Sequence, residues 1–315
     1  MRIFRHDTVA AAEGGAVVAI GNFDGVHLGH QAVIGEAGRI ARAAGVPHAV
    51  LTFEPHPRRV FRPDDPPFRL TPFRAKSRHL EALGVDLLFT LHFDLAFAAK
   101  SAEDFIETVL VRNLGVRHAV VGYDFVFGHQ RHGTPALLQA RGADLHFGVT
   151  VVGPIAAAGG AVYSSTRIRE LLAAGNPRDA AALLGRFWEI EGRVERGDER
   201  GRTIGFPTAN LMLDDYLRPA AGVYAVRAGV EEGGRTLWHD AVANLGHRPT
   251  FGGSDLRLEA HLFDFDRDLY GRHLRIALIE HLRPERKFPG IDALKVQIVE
   301  DAARARAVLK EVPAP

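Results

Sequence analysis

Two histidines, His27 and His30, follow a glycine-rich turn in the segment 21–30, which reads GNFDGVHLGH. An apolar run at 16–20 precedes the turn, and a helical pattern begins at about residue 29. A strand, a glycine turn and a helix in this order direct free backbone N–H groups at a phosphate. Residues three apart share one face of a helix, so both imidazoles can donate hydrogen bonds to phosphate oxygens. The segment therefore predicts a site for attack on a nucleotide phosphate.

A His-x-x-His pair taken alone is more often two surface histidines, and sometimes a metal pair. The chain contains no cysteine, no His-Glu-x-x-His and no Walker-type Gly-x4-Gly-Lys-Ser/Thr. These absences argue against a zinc protease and require any nucleotide chemistry to use a cradle other than the P-loop. The glycine turn and its strand are what favour phosphate binding here.

A second polar segment, 164–169, reads SSTRIR and stands just before a predicted helix. Hydroxyls at a helix start commonly serve as caps for unpaired N–H groups. Arg169, one turn further along, allows the same hydroxyls to hold a β- or γ-phosphate through charge-assisted bonds. Beside the histidine turn, we favour the phosphate interpretation.

The second half of the chain has its own polar segment, 201–210, which reads GRTIGFPTAN. Thr208 and Asn210 are two residues apart, so on an extended segment they point to the same side. A hydroxyl and an amide oxygen suit Mg²⁺ bound to phosphates, although a proline turn with self-satisfied side chains is the simpler alternative. Glu259 lies in an alternating strand pattern, either as a solvent-facing carboxylate or as a general base.

Composition describes an ordinary globular protein of 315 residues with a net charge of +1 and 46% apolar residues. The length suits two domains, and the near-zero charge does not favour nucleic acid or a membrane surface. No apolar run approaches the roughly 18 residues of a membrane span, and the N-terminus lacks the apolar core of a secretory signal. Without cysteine there are no disulfides, and we expect a cytoplasmic protein.

The elements that must position these residues change character near residue 187. In the first half, strands alternate with helices, which predicts a parallel sheet with helices on both faces. The strand candidates are 16–21, 48–53, 86–91, 118–123 and 148–153, and the helix candidates are 29–45, 73–83, 102–114, 134–142 and 165–174. A short helical linker is predicted at 177–185, and the proline-rich loop 61–72 is expected to be an exposed flap.

Beyond residue 187, strand-like runs follow one another without helices, which predicts an antiparallel sheet or small barrel. These runs are 188–195, 222–229, 237–244, 257–264 and 273–280, and one helix closes the chain at about 291–310.

Ligands of an open parallel sheet bind outside the carboxyl ends of its strands. Unusual residues follow four successive strands of the first half: NFD at 22–24, FEPHP at 53–57, LHF at 91–93 and GYDF at 122–125. Any one of them could be ordinary loop sequence, but four along one edge are harder to dismiss. Aromatic and proline residues beside polar groups suit a flat, partly apolar ring.

GNFDGVHLGHQ together with SSTRIR resembles the paired motifs of the nucleotidyltransferase superfamily. FEPHP, GYDFVFG and the position of Lys76 narrow the resemblance to the bacterial bifunctional riboflavin kinase/FAD synthetase family. GFPTAN, the RPT triplet at 248–250, the run LEAHLFDFDRDLYG and the ERKF element resemble that family's riboflavin kinase module. The resemblance implies a Rossmann-like nucleotidyltransferase domain over 1–185 and a kinase domain over 186–315, the latter a six-stranded antiparallel β-barrel with a terminal helix.

The resemblance also implies roles for individual residues. In the first domain, ATP would contact the two histidines and Arg169 as catalytic groups, with further binding residues Gly21, Asn22, Phe23, Asp24, Gly29, Ser164 and Thr166. In the second domain, ATP and Mg²⁺ would be held by Gly205, Thr208 and Asn210, and Glu259 would activate the riboflavin hydroxyl. The flavin-side residues would be Pro55, Pro57 and Asp124 in the first domain and Arg283 and Phe288 in the second.

The implied activity is phosphorylation of riboflavin to FMN by ATP, followed by adenylylation of FMN to FAD with release of pyrophosphate. Riboflavin, FMN, FAD and ATP are the expected partners, with no nucleic acid or membrane; the oligomeric state stays open, a homo-oligomer included. Two alternatives remain. The second domain could bind flavin without turnover, although Thr208, Asn210 and Glu259 argue against this. The first could handle tRNA, although the low net charge and the lack of a KMSKS-like loop argue against that.

Overall fold

The protein is described by a computed structural model that covers residues 1–5, 15–155, 160, 162–196, 205–250 and 253–314, with the backbone alone at 247–250 and 253–255. The chain forms two compact units. The first consists of Met1–Pro66 and Thr71–Ser164, and the second of Pro67–Leu70 and Ser165–Pro315.

The first unit is built on a parallel sheet. Its strands in the described residues are Arg2–Phe4 (β1), Ala16–Ile20 (β2), His48–Glu54 (β3), Leu87–His92 (β4), Val116–Gly122 (β5) and Gly148–Val152 (β6). They are ordered β1-β4-β3-β2-β5-β6, and every neighbouring pair is parallel. The strand order changes direction between β2 and β5. In open sheets of this type, that switch point is where ligands bind.

Helices cover both faces of this sheet, as the alternating pattern predicted. They are Leu28–Ala44 (α1), Pro57–Phe61 (α2), Phe73–Ala82 (α3), Leu95–Ala98 (α4), Ala102–Asp104 (α5), a π-helix at Phe105–Asn113, and Pro135–Asp144 (α6). On one face, Ile34 and Ala37 of α1 pack against Val17 and Ala19 of β2. Because β2 is covered on both sides, all five of its residues are buried and read as one continuous apolar run.

The predicted helix over 102–114 is present with a wider winding than an α-helix. The amide of Leu114 donates to the carbonyl of Val109, five residues back, at 3.1 Å. The wide turn buries Phe105, Val109 and Leu110 together on the second face of the sheet. The spacing of apolar residues indicates a helix here, but it does not distinguish a π-helix from an α-helix.

The second unit begins with two helices and continues as an antiparallel sheet. The helices are Ser165–Ala173 (α7) and Pro177–Leu184 (α8), and the strands in the described residues are Trp188–Arg193 (β7), Ala209–Met212 (β8), Gly222–Glu232 (β9), Arg235–Thr250 (β10), Gly253–Leu262 (β11) and His273–Arg283 (β12). The order is β7-β12-β9-β10-β11-β8.

The two edge strands of this sheet approach each other. Glu195, just beyond β7, makes an antiparallel bridge to Asn210 of β8, and its amide donates to the Asn210 carbonyl at 2.9 Å. The sheet therefore curls toward a barrel, as expected. The closing helix Ile291–Lys310 (α9) packs Ala305 and Leu309 against the strands. The fold class predicted from the sequence is confirmed for both halves.

One expectation about the fold is wrong. The proline-rich loop 61–72 is not exposed throughout, because Phe68, Arg69 and Leu70 are all buried. Arg69 pairs with the segment after β8: its amide donates to Asp215 at 3.3 Å, and its carbonyl accepts from Leu217 at 2.8 Å. The proline content correctly indicated a loop. The burial of Phe68, Arg69 and Leu70 could not be predicted, because it depends on pairing with residues near 215–217.

Candidate functional site

The turn between β2 and α1 holds an uncommon backbone conformation. Phe23, Gly25 and Val26 have φ values of 48°, 88° and 42°. For a phenylalanine and a β-branched valine, such values cost about 1–3 kcal/mol each and persist only where surrounding contacts impose them. Strain of this kind is concentrated at functional sites, so the turn is a candidate on its geometry alone.

Thr71 supplies part of that constraint. The amide of Gly25 donates to its hydroxyl at 2.8 Å, and the Thr71 amide donates to the buried carboxylate of Asp24 at 3.0 Å. Asp24 therefore anchors the turn from within. The sequence pointed to Asp24 as a residue of the turn but gave no sign of Thr71, which lies 47 positions along the chain.

The two histidines are fixed against each other at the start of α1. His27 is the N-cap, and its Nδ1 accepts the amide hydrogen of His30 at 3.2 Å. Since an accepting nitrogen carries no hydrogen, the neutral ring bears its hydrogen on Nε2. The two rings stack with centroids 3.5 Å apart, and Phe23 packs edge-on to His30 at 5.3 Å. The pair therefore presents oriented ring donors at a helix N-terminus, where anions bind.

Two glycines allow rings to approach this backbone closely. A Cβ on Gly29 would lie 3.2 Å from the His27 ring and 3.3 Å from Cβ of Tyr163. A Cβ on Gly21 would lie 3.1 Å from the Phe23 ring. Larger residues at either position would push the rings away from the turn.

The hydroxyl and arginine segment is located at the start of α7. Ser164 precedes the helix and is half-buried, while Thr166 is exposed. Arg169 donates from Nε to the carbonyl of Phe68 at 2.9 Å and lies 5.6 Å above the Phe68 ring. Thr166 and Arg169 are three residues apart and so share one face of the helix.

Pro55 and Asp124 follow β3 and β5, the two strands that flank β2. Pro57 is the first residue of α2, which is capped by His56 through a bond from the Arg58 amide to Nδ1 at 3.1 Å. Pro55 and Asp124 are exposed. The structure thus puts these predicted flavin-side residues at the carboxyl edge of the sheet, on both sides of the strained turn.

Phenylalanines cluster at the same edge; the sequence pointed to Phe53 and Phe93 at strand ends but not to their contact with Phe97. Phe53, Phe93 and Phe97 contact one another with ring centroids 5.6–5.8 Å apart. Phe61 joins through Phe93 at 5.8 Å and is 59% exposed. We call these four residues the phenylalanine cluster. Phe53 is buried, and Phe93 and Phe97 are half-buried. An exposed ring backed by such rings is suited to stacking on a flat aromatic ligand; the signal in the sequence was the repeated Phe at strand ends.

In the second unit, three polar residues form a row across three strands. Glu259 of β11 pairs with Asn210 of β8 on one side and with Asn244 of β10 on the other. Directly opposed residues in an antiparallel sheet point to the same face, with Cβ atoms about 5 Å apart. Their neighbours Leu258 and Ala260 are fully buried on the other face. The row therefore occupies one face of the sheet, and Asn244 was missed as a site residue.

His261 fixes the GFPTAN segment over this row. Its Nδ1 lies 2.8 Å from the carbonyl oxygen of Pro207, and its ring packs edge-on to Phe206 at 5.4 Å. Two residues from Glu259, His261 points to the same face of β11. The segment begins at Gly205 with a φ of 88°; residues 201–204 of the motif lie outside the described part of the chain.

The donor set at this row suits a hard cation. Thr208 is half-buried and Asn210 is buried. The Asn210 amide nitrogen donates to the Thr208 carbonyl at 3.4 Å, which leaves the amide oxygen as the atom that could face a cation. A hydroxyl, an amide oxygen and a nearby carboxylate are oxygen donors of the kind that Mg²⁺ prefers when it also binds phosphates. The residues present therefore fit Mg²⁺.

Arg283, which lies over the Phe288 ring, forms an ion pair with Asp301 of α9. Arg283 donates from Nε and from a terminal nitrogen to the Asp301 carboxylate, at 3.0 and 2.7 Å, and Gln297 donates to the same carboxylate at 2.9 Å. Arg283 and Arg286 lie over the Phe288 ring at 5.7 and 4.8 Å. Arg283 thus has a positioning contact that the sequence did not indicate, since Asp301 is 18 residues away.

Each unit thus carries groups suited to binding the phosphates of a nucleotide, as an enzyme that transfers phosphorus-containing groups requires. A family model for FAD synthetase matches residues 9–167, and one for riboflavin kinase matches residues 184–309. No helix in the described ranges is long and apolar enough to cross a membrane.

Relatives of known name share almost the whole chain. The bifunctional riboflavin kinase/FMN adenylyltransferase of Escherichia coli strain K12 is 43% identical over 308 residues, covering 97% of this chain and 97% of the relative. The enzyme of the same name from Bacillus subtilis strain 168 is 40% identical and covers 95% of this chain and 94% of the relative. The chain belongs to the bifunctional riboflavin kinase/FMN adenylyltransferase family.

A crystal structure from Streptococcus pneumoniae, described as a macrolide-efflux protein, has the same fold. It superposes with a TM-score of 0.83 at 32% identity and covers 96% of this chain and 98% of its own. The agreement extends over both halves of the chain.

Proposed function

We propose that this protein converts riboflavin to FMN in its second unit and FMN to FAD in its first, using one ATP in each step. The observation that carries the proposal is the correspondence between motifs and units. The FAD synthetase match ends at residue 167 and the riboflavin kinase match begins at 184. Each matched region holds its own set of phosphate-handling residues. We place the domain boundary at 185/186, at the end of α8, so that Thr166 and Arg169 count with the first domain although they fall within the second compact unit.

In the kinase step, Glu259 accepts the proton of the riboflavin 5′-hydroxyl as that oxygen attacks the γ-phosphorus of ATP, and ADP leaves as the bond to the bridging oxygen breaks. Its place between Asn210 and Asn244 keeps the carboxylate on the face of the row. Thr208 and Asn210 would hold Mg²⁺, which neutralises phosphate charge when bound, and Gly205 lets the backbone approach ATP. Transfer of this kind depends mainly on positioning and charge neutralisation, so a base and oriented donors suffice.

In the adenylyl-transfer step, the FMN phosphate attacks the α-phosphorus of ATP and pyrophosphate leaves. The nucleophile is already ionised, so the site needs no strong base. His27 and His30 donate to the oxygens that gain charge, and Arg169 binds the triphosphate. The remaining ATP contacts are assigned to Gly21, Asn22, Phe23, Asp24, Gly29, Ser164 and Thr166.

The flavin is assigned to the carboxyl edge of the parallel sheet for adenylyl transfer. Pro55, Pro57 and Asp124 line it there, and the phenylalanine cluster supplies an aromatic surface. In the kinase unit, Arg283 and Phe288 are assigned to the flavin side. We propose no membrane or nucleic-acid partner and place the enzyme in the cytoplasm.

A single incubation tests the two activities and their order. Purified protein is mixed with riboflavin, ATP and Mg²⁺, and the flavins are separated by chromatography over time. We expect riboflavin to fall, FMN to rise transiently and FAD to accumulate. FMN as the final product would contradict the adenylyl-transfer assignment. FAD formed only when FMN is supplied would reduce the second unit to a binding module.

A further inference from the structure

Lys76 of α3 is completely buried, with 0% of its surface exposed. A buried ammonium group is unfavourable unless hydrogen bonds and charge compensate it. Its Nζ has three oxygen atoms within reach: the Asn22 carbonyl at 2.8 Å, the Thr52 hydroxyl at 3.3 Å and the Glu54 carboxylate at 3.5 Å. The shortest of these contacts is to the strained turn rather than to the carboxylate.

The Asn22 carbonyl oxygen accepts a second hydrogen bond on the same side. The Thr52 hydroxyl of β3 donates to it at 3.2 Å. Two donors therefore hold this carbonyl toward α3 and β3. In a planar trans peptide the C=O and the following N–H point in opposite directions. The Phe23 N–H is consequently directed away from Lys76.

The same peptide leads into the positive φ of Phe23, at 48°. Without a restraint on the preceding carbonyl, a phenylalanine would relax toward the ordinary negative-φ regions. Relaxation would rotate the amide of Phe23 and alter the edge of the ring that packs on His30. Lys76 thus acts on both the backbone donor and the second histidine of the turn.

We propose that Lys76 is a positioning residue for adenylyl transfer: by holding the Asn22 carbonyl inward, it keeps the turn in the shape that binds the triphosphate of ATP. This inference rests on the proposed function of the first unit. Because Lys76 has no exposed surface, it acts through the turn rather than on the nucleotide itself. Its shortest hydrogen bond goes to the peptide at the start of that turn.

The test is Lys76→Met, which preserves side-chain length and removes the donor. In FMN adenylylation we expect KM for ATP to rise about tenfold or more, while KM for FMN changes less than twofold. The riboflavin kinase reaction of the same molecule should keep its kcat and both KM values, which shows that the second unit is folded. Lys310→Met, at the exposed end of α9, makes the same change away from the turn and should leave both reactions unchanged.

Thr52→Val provides a second, milder variant if Lys76→Met unfolds the first unit. It removes the other donor to the same carbonyl, and we expect KM for ATP to rise about two- to fivefold. A role in stability alone would lower the unfolding midpoint and leave both KM values at their wild-type levels. Either variant, folded and with an unchanged KM for ATP, would overturn the proposal.

Failure of the proposed function is a separate result. If the wild-type protein forms FMN but never FAD, the adenylyl-transfer assignment fails. The same variants are then compared by calorimetric titration with ATP. Weaker ATP binding by Lys76→Met or Thr52→Val would still support the role of the turn, and equal binding would contradict it.

Discussion

The candidate phosphate sites of the two units are built in different ways. In the first, the candidate site is a backbone turn with positive φ at Phe23 and Val26. The turn is held by hydrogen bonds to Thr71 and is followed by a stacked pair of imidazoles. In the second, it is a row of side chains on relaxed strands, with Glu259 between two asparagines. One site is defined by main-chain shape and the other by strand register.

The two proposed reactions use different nucleophiles, which accounts for the difference between the sites. A phosphate monoester is ionised before it reacts, so the first site must stabilise charge, which N–H groups at a helix N-terminus do well. A hydroxyl must lose a proton, so the second site must place a carboxylate at a defined position. An antiparallel sheet provides that position because its register fixes which side chains stand together.

The largest expected effect separates the two sites by removing the base. In Glu259→Gln we expect kcat for FMN formation to fall by about a hundredfold to ten-thousandfold, because the amide cannot accept the hydroxyl proton. FAD formation from supplied FMN should not change. Chromatography of both reactions makes the measurement, and Glu311→Gln, an exposed glutamate, serves as the control. A kinase rate that survives would favour a flavin-binding module.

The next effect is expected at the histidine cap. Asparagine is a good N-cap, so His27→Asn should preserve α1 while removing the ring donor. We expect kcat for adenylyl transfer to fall by about a hundredfold to a thousandfold, with riboflavin kinase unchanged. His27→Ala should lose the same activity and also about 1 kcal/mol of unfolding free energy. If His27→Asn and His27→Ala lost the same unfolding free energy, the asparagine would not be acting as a helix cap.

A smaller effect is expected from the ion pair behind Phe288. Asp301→Asn leaves the Arg283 guanidinium without its charged partner, and we expect a loss of about 1–3 kcal/mol in the stability of the second unit. Both tryptophans of the chain, Trp188 and Trp238, belong to that unit, so urea unfolding by tryptophan fluorescence measures it directly. KM for riboflavin should rise and KM for FMN in adenylyl transfer should not. A shift in the latter would argue against separate sites.

The smallest effect concerns pH and is specific to the first unit. Burial lowers the pKa of His48, although its bond to the Gly84 carbonyl and the charge of Asp86 oppose this. Burial also lowers the pKa of His118, against the charge of Glu36. Both rings are therefore neutral in the folded state near pH 7. Their contribution to stability is present above the ordinary value of 6.5 and is lost as the pH falls through the lowered pKa values.

Far-UV circular dichroism follows both units, and tryptophan fluorescence follows the second. On acidification below the ordinary pKa, we expect the two urea transitions to separate, with the circular dichroism transition moving to lower urea. His48→Gln and His118→Gln together should reduce that separation. If the circular dichroism and fluorescence transitions coincided at every pH, acid would not be destabilising the first unit selectively.

Much of the fold could be predicted from the sequence because its patterns are local. Alternation of apolar strands with helices identified the parallel sheet, and consecutive strand runs identified the antiparallel one. The two strands that were missed, Arg2–Phe4 and Ala209–Met212, are three and four residues long. Segments so short carry too few residues to show a period, and they become strands only because a neighbouring strand offers its hydrogen bonds.

The candidate site divides in the same way. The motifs around His27 and Thr208 could be found because their residues are adjacent in the sequence. Thr71 and Asp301 could not be found, since each acts on a residue far from it along the chain. Asn244 could not be found either, because only the strand register placed it opposite Glu259.

The sequence by itself determined the order of the elements, the glycine turn before the histidine helix, and the presence of a second polar motif with hard oxygen donors. These features depend on neighbouring residues and on local backbone preferences. Only the tertiary structure decided that Lys76 is buried beneath the Asn22 carbonyl and that Asp24 is held by Thr71. Such contacts arise when distant segments pack together, because a buried polar group must then find its partner wherever the fold brings one within reach.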